Sequence, residues 1–379
     1  MGFKNKIFIL PLILLSLLIY ILNFDSFAIE ESNKLTNVNI SDYLKRYKSF
    51  DKQWGLKNSG QTYRKAGTPG IDINYVEYLK IMQSGHMETV KIAVLDTYIY
   101  TEHKDLEENI LLINGSNKFK KLENIDINDE KYYHGTHIAG IIGASHNGTE
   151  ILGIVPKVKI IPLNIMSNEA NIDTIIEAIE YAEKMGARVV NCSWSVKEYS
   201  EELYNTIKDS NMLFVVAAGN DSKSIDEYPL YPASFNLKNV ITVASIDNTG
   251  ELSNFSNYGN KVSVAAPGEY IYSTLPNNQY GYSYGTSIAT AFVTGLAGLI
   301  FSVEPTLKAE EVVSLIERGV LPLESLKGKI KTSGIINVSN TLNILECSLN
   351  QENRHEDIKE NFIKFVMFIL HISRKMLHI

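Results

Sequence analysis

The chain has 379 residues, 45% of them hydrophobic and 21% charged, with a formal net charge of −7. That length can bury a large core, in one big α/β domain or two smaller ones, and the composition is that of a globular chain rather than a disordered one. The acidic balance leaves no basic footprint for nucleic acid. Two cysteines, Cys192 and Cys347, are too few for a disulfide framework or a structural zinc site.

Taken in chain order, the first element is not part of the fold. Lys4 and Lys6 precede an apolar run from Ile7 to Phe24, and "SFA" (26–28) supplies small residues after it. This is the pattern of a secretory signal over 1–28, and the run is also long enough to remain as an N-terminal membrane anchor. Either way the bulk of the chain is expected outside the cell or at its surface. Residues 29–49 are polar and are expected to form a short lead-in, followed by one globular domain over 50–346. The tail, 347–379, joins a charged spacer, "NQENRHEDIKE", to an apolar and aromatic segment. Its apolar run over 362–372 is too short to span a bilayer, so contact with a membrane surface or docking on the domain is expected.

Between these ends the pattern alternates. "TVKIAVLD" (89–96), "ARVVNCS" (187–193), "MLFVVAAGN" (212–220) and "KNVITVAS" (238–245) are continuous β-branched and apolar runs, as expected of parallel strands buried on both faces. Ile172, Ile175, Ile176, Ile179 and Ala182 recur at helical spacing, and a long apolar helix is expected over 284–301. Strand–helix alternation predicts an open α/β sheet with its chemistry at the carboxyl ends of the strands.

Polar groups stand at those ends. Asp96 closes one run, Asn220 closes another, and Ser287 opens the long helix; "YYHGTHIAG" (132–140) adds His134 and His137. Nucleophilic acyl transfer needs a hydroxyl, a base to take its proton and an acid to orient the base. It also needs donors aimed at the developing oxyanion. Asp96, His134 and Ser287 can form the triad, with the Asn220 amide and the Ser287 N–H as donors. From the stretch alone either histidine can be the base. A zinc clip is a poor reading, because "HExxH" is absent and no third ligand is near.

With these residues in view, the chain resembles the subtilisin-like serine proteases. "VLDT" (94–97) resembles the family's aspartate motif, "HGTHIAG" (134–140) its histidine motif, "AAGN" (217–220) its oxyanion motif and "GTSIA" (285–289) its serine motif. "QWGLKNSGQ" (53–61) followed by "GTPGIDI" (67–73) resembles the opening segment of many members. The resemblance covers about residues 50–345 and rests on four motifs in the family's order. It implies a parallel-sheet, three-layer α/β/α fold and endopeptidase activity on a peptide or protein substrate, in a chain expected to be a monomer. It makes His134 the base and His137 structural. The substrate strand maps to Ser193, Trp194 and Ser195, with Trp194 alternatively a surface aromatic. The specificity pocket maps to Ala217, Ala218 and Gly219, with Leu230 at its base, so apolar or neutral P1 side chains are expected. Cys192 is expected to be inert.

The family also implies a structural calcium ion. Its loop maps to "GASHNGTEILGIVP" (143–156), with a side-chain oxygen from Asn147, carbonyls from Ser145, Thr149 and Ile151, and Asp105 as the carboxylate. Gln53 and Asp51 are the candidates for a ligand from the opening segment. The chain departs from the pattern in several places. Tyr98 replaces a glycine, either narrowing the cleft rim or being absorbed by its loop, and Ile288, Ala291 and Phe292 replace Met, Pro and His. The stretch before "QWGL" looks too short for the family's pro-domain, which leaves three readings open: the enzyme folds unaided, a separate chain assists it, or the gene has lost that part. The alternative reading is a catalytically silent member that binds a peptide or protein.

Overall fold

The computed structural model describes residues 39–81, 87–111, 130–166 and 171–351. The expected signal or anchor, the lead-in before residue 39, and the apolar tail lie outside those residues.

All four β-branched runs are strands. In chain order the main sheet contains β1 (Val90–Asp96), β2 (Val158–Asn164), β3 (Val189–Cys192), β4 (Leu213–Ala217), β5 (Val240–Ile246) and β6 (Val264–Pro267). They pair in parallel in the order β2-β1-β3-β4-β5-β6. A separate antiparallel hairpin joins β7 (Ile271–Leu275) to β8 (Gln279–Ser283), and two-residue strands β9 (Leu321–Pro322) and β10 (Gly334–Ile335) extend the sheet beyond β6. Every residue of β3, β4, β5 and β6 is buried. These strands show no polar alternation because both faces are covered.

Helices among the described residues include α1 (Ile40–Leu44), α2 (Tyr75–Ile81), α3 (Glu130–Gly143), α4 (Ile172–Lys184), α5 (Glu201–Asp209), α6 (Thr286–Val303) and α7 (Ala309–Gly319). One core cluster packs α3, α6 and α7 on the face of Ile92, Val94, Val215 and Ile241. A second packs α4 and α5 on the face of Ala93, Leu95, Val190 and Phe214. Three layers follow from strands apolar on both sides and helices apolar on one. Helix α6 is apolar enough to cross a membrane, but it is buried inside the domain, so its composition is that of a central core helix.

Two expected boundaries move. Residues 39–49 are not a loose lead-in: the Asn39 side chain caps α1 by accepting from Ser41 N (3.0 Å), and Tyr47 and Ser49 are buried. At the other end residues 338–351 are helical, so a boundary at 346 would cut a helix. Strand β2 escaped the sequence reading because Lys157, Lys159 and Pro162 interrupt its apolar run. It lies at the sheet edge, where a missing N–H is tolerated.

Candidate active site

Parallel strands deliver their carboxyl ends to one rim of the sheet, and the four motif residues converge there. Asp96 is the last residue of β1 and is 2% exposed. Its Oδ1 accepts from Thr97 N (2.6 Å) and lies 2.7 Å from Nδ1 of His134 on α3. A carboxylate on Nδ1 holds the proton there, so Nε2 carries the lone pair that can take one. This close approach depends on Gly135. A Cβ there would lie 2.6 Å from Thr97 O and 3.0 Å from Tyr98 O, while its N–H donates to Thr97 Oγ1 at 2.9 Å.

Ser287 sits in the first turn of α6, half-buried, where the helix presents unpaired N–H groups and the positive end of its dipole. Its hydroxyl donates to Ser193 O at 3.4 Å, and Ser193 Oγ donates to Ser287 O at 3.2 Å. Asn220 follows β4. Its Oδ1 accepts from both the N–H and the hydroxyl of Thr286, each at 2.9 Å. Because a backbone N–H can only donate, the amide orientation is unambiguous and Nδ2 is left to donate elsewhere. Thr97 and Thr286 are positioning groups that the sequence reading missed; each adjoins a motif residue, which was the available signal.

His137 lies one turn beyond His134 and is fully buried. Its Nε2 donates to the carbonyls of Ile271 (3.0 Å) and Gly281 (3.3 Å), tying α3 to the hairpin, and Nδ1 is buried without a partner. Burial, then the nearby His134, pushes its pKa down to about 3. Among the substrate candidates, Ser193 is beside the serine and Ser195 is exposed. Trp194 is 6% exposed and packs in the α4–α5 core, so it is not a surface aromatic. Ala217 and Ala218 are buried. Gly219 has φ +102, and a Cβ there would strike Asn257 Nδ2 at 2.4 Å and Leu230 Cδ1 at 2.7 Å, so Leu230 does border this segment. Asn257, also missed, donates to Ala218 O at 3.0 Å and accepts from the N–H groups of Asp221 and Lys223. Burial raises the Cys192 thiol well above its usual range, which suits an inert core residue.

The departures are absorbed. Tyr98 is 4% exposed and turned inward, so it does not narrow the rim. Ile288, Ala291 and Phe292 are buried in α6, and the Phe292 ring lies against Gly55, where a Cβ would meet it at 2.5 Å.

The loop over 143–156 meets the segment 102–106 as expected. Ser145 N–H donates to Asp105 O at 2.7 Å. The buried Asp105 carboxylate has Oδ1 against the Thr149 hydroxyl and Oδ2 accepting from Tyr280 OH at 2.8 Å. Thr149 Oγ1 is also 2.8 Å from Asn147 Oδ1, and Ser145 Oγ is buried without a partner. Three oxygens thus converge around one hydroxyl proton, with Asn147 Oδ1 also taking the Thr149 N–H at 3.2 Å, and oxygens so grouped suit a hard cation. Some details differ from the expectation. The Thr149 carbonyl accepts from Lys48 N (3.2 Å), so this residue offers its hydroxyl instead. The Gln53 amide is engaged on both sides of Leu152, at 2.9 and 2.8 Å. Asp51 is exposed, and Ile151 is buried on the loop. The Arg46 guanidinium packs on Gly148, its Nε 2.9 Å from where a Cβ would stand. Among the described residues no three His, Cys, Asp or Glu side chains cluster. One carboxylate with amide, hydroxyl and carbonyl oxygens is a donor set that fits calcium.

Known proteins resemble this chain in sequence and in fold. The family model for the subtilase family matches residues 87–340. The chain is 33% identical over 309 residues to a cell wall-associated protease of Bacillus subtilis, covering 78% of this chain and 33% of that protein. It is 34% identical over 281 residues to the major intracellular serine protease of the same organism, covering 68% of this chain and 86% of the relative. It therefore spans only about a third of the first relative and most of the second. A protease structure from Pseudoalteromonas arctica superposes with a TM-score of 0.62 at 24% identity, covering 79% of this chain and 98% of that one; at that identity the likeness concerns the fold. Four motifs at one rim of a parallel sheet, a family match over two thirds of the chain and a shared fold place this chain in the subtilase family.

Proposed function

We propose that the chain is a serine endopeptidase. Ser287 Oγ attacks the scissile carbonyl carbon while His134 Nε2 takes its proton. The carbonyl electron pair moves to oxygen, and the oxyanion accepts from Asn220 Nδ2 and the Ser287 N–H. Collapse breaks the C–N bond, with His134 returning the proton to the leaving amine and leaving an acyl ester on Ser287. Water, deprotonated by His134, then hydrolyses the ester. Asp96 keeps the imidazole in one tautomer and stabilises the imidazolium. The observation that carries this reading is the buried Asp96–His134 pair at 2.7 Å, on the same rim as an Asn220 amide locked by the residue preceding Ser287.

An extended substrate would add to the Ser193–Trp194–Ser195 segment by backbone hydrogen bonds. Ala217, Ala218, Gly219 and Leu230 would form an apolar P1 pocket. Calcium, where bound, would be held by Asp105, Asn147, the Thr149 hydroxyl and carbonyls of the loop at Ser145 and Ile151, and would brace the loop after α3. Export through residues 1–28 places the enzyme outside the cell or at its surface, with membrane contact from that segment or the tail, and a monomer suffices for the proposed chemistry. A fluorophosphonate probe tests the central claim: an adduct on Ser287 is expected, and a folded chain that takes no label and cleaves no peptide would be a silent binder.

A further inference from the structure

The last pair in the β1–β2 ladder is Asp96 opposite Asn164. Side chains alternate along each strand, and the core clusters show which way. Val90, Ile92, Val94, Val158 and Ile160 face the α3–α6 layer, whereas Ala93, Leu95, Ile161 and Leu163 face the α4–α5 layer. Asp96 and Asn164 continue the first series. They stand on neighbouring strands, about 4.8 Å apart, on the face that carries His134.

Both are buried, 2% and 5% exposed, and each is half satisfied. Asp96 Oδ1 takes Thr97 N–H and His134 Nδ1, while Oδ2 has no partner. Asn164 Oδ1 takes Met166 N–H at 3.1 Å, which settles the amide orientation, while Nδ2 has no partner. An unpaired carboxylate oxygen and an unpaired amide donor therefore occupy adjacent buried positions. Each alone is costly to leave unmade, and each is what the other lacks.

We propose that Asn164 is a positioning residue for Asp96. Its Nδ2–H serves Asp96 Oδ2, by a small rotation of the amide or through one bridging water. The hydrogen bond holds the carboxylate plane so that Oδ1 stays on the imidazole, and it spreads the carboxylate charge over both oxygens. This rests on the triad reading above.

Removing the donor concentrates the charge of Asp96 and favours the protonated imidazole, so the His134 pKa rises. Few other charges reach this pair. On α3 the near group is His137, which stays neutral. Beyond β1 the buried Tyr98 hydroxyl is pushed up to about 12. The α6 residues there, Thr286 and Ser287, are uncharged, and β3 brings Asn191 and the un-ionised Cys192. On α4, Asp173, Glu177, Glu180 and Glu183 are exposed on the opposite layer. The strands' own lysines, Lys91 and Lys159, are held at Met185 O and Glu108 O.

The test compares Asn164→Leu, Asn164→Asp and Asn164→Gln with the wild-type chain by two readouts. The first is the His134 imidazole pKa by NMR, which needs no catalysis. The second is kcat and KM across pH on a peptide substrate. Leu should raise the pKa and lower kcat about 10- to 100-fold, the size of one hydrogen bond to a charge, with KM unchanged. Asp should raise the pKa further, and Gln should recover part of both. An Asn164→Leu chain whose His134 pKa matches wild type overturns the proposal, whether or not its stability falls. A wild-type chain that titrates normally yet takes no fluorophosphonate label would instead count against the triad reading.

Discussion

Buried His137 makes the stability of this domain sensitive to acid. Its pKa is about 3 in the folded chain against 6.5 unfolded. A depressed folded pKa means that the unfolded chain binds the proton first. The stabilisation by neutral His137 is therefore fully present above about pH 6.5 and is lost as pH falls towards 3. One such group changes stability by at most about 1.4 kcal/mol per pH unit in that window, with half that slope at pH 6.5, so about 2 kcal/mol is lost between pH 6.5 and 4.5. That is a large fraction of the net stability of an ordinary domain. His137→Gln keeps an N–H donor for the carbonyls of Ile271 and Gly281 but cannot titrate. Urea unfolding at pH 6.5, 5.5 and 4.5, in a Ser287→Ala background to prevent autolysis, should show a shallower pH slope for the Gln variant by about one proton. Other groups titrate equally in both chains and cancel in the difference. Parallel slopes, or a His137 imidazole that titrates near 6.5 by NMR, would refute the argument.

Three further outcomes are expected. Ser287→Ala and His134→Ala should each reduce kcat by about 10⁶, the loss for these groups in a subtilisin, with the far-UV circular dichroism unchanged; normal turnover by purified Ser287→Ala would remove the assignment. Asn220→Ala should lower kcat by about 10²–10³, again the subtilisin magnitude for one oxyanion donor, with little change in KM; an effect on KM alone would mean that the amide only positions substrate. Excess chelator should shorten the half-life of thermal inactivation, and Asp105→Ala should show that fragility even with calcium present, because an ion bound only to the folded state stabilises it. Equal half-lives with and without chelator would strike the ion from the loop.

Much of the fold was legible because its signals are local. Strands β1, β3, β4 and β5 lie in runs that are mostly β-branched and apolar, and α4 repeats Ile175, Ile176, Ile179 and Ala182 on one buried face. What was missed lacks such runs. Strand β2 carries Lys159 and a proline whose missing N–H its edge position tolerates, and β9 and β10 are two residues each. Residues 39–49 look like a tether by composition, yet they are held by distant partners: Lys48 and Ser49 N–H donate to Thr149 and Glu150 carbonyls, and Tyr43 OH lies 3.1 Å from His146 Nδ1. Long-range polar contacts of this kind have no periodicity to announce them.

The site divides in the same way. The groups proposed to do the chemistry are legible because reactivity demands particular residue types at the ends of apolar elements. The groups that orient them need only one donor or acceptor at the right place, and many residue types can supply that. Thr286 can be inferred only once Asn220 is known to lean on it. Asn164 lies 68 positions after Asp96, inside a strand the apolar pattern does not reveal, and meets it through register alone. Thr149 shows the converse. Its place in the loop was expected for a carbonyl, but Lys48 takes that carbonyl and the hydroxyl turns to Asp105 instead. In each case the element ends select the reactive group, and pairing between distant segments selects its support. Substitutions at supporting positions should therefore move pKa values and kcat more readily than they move the fold.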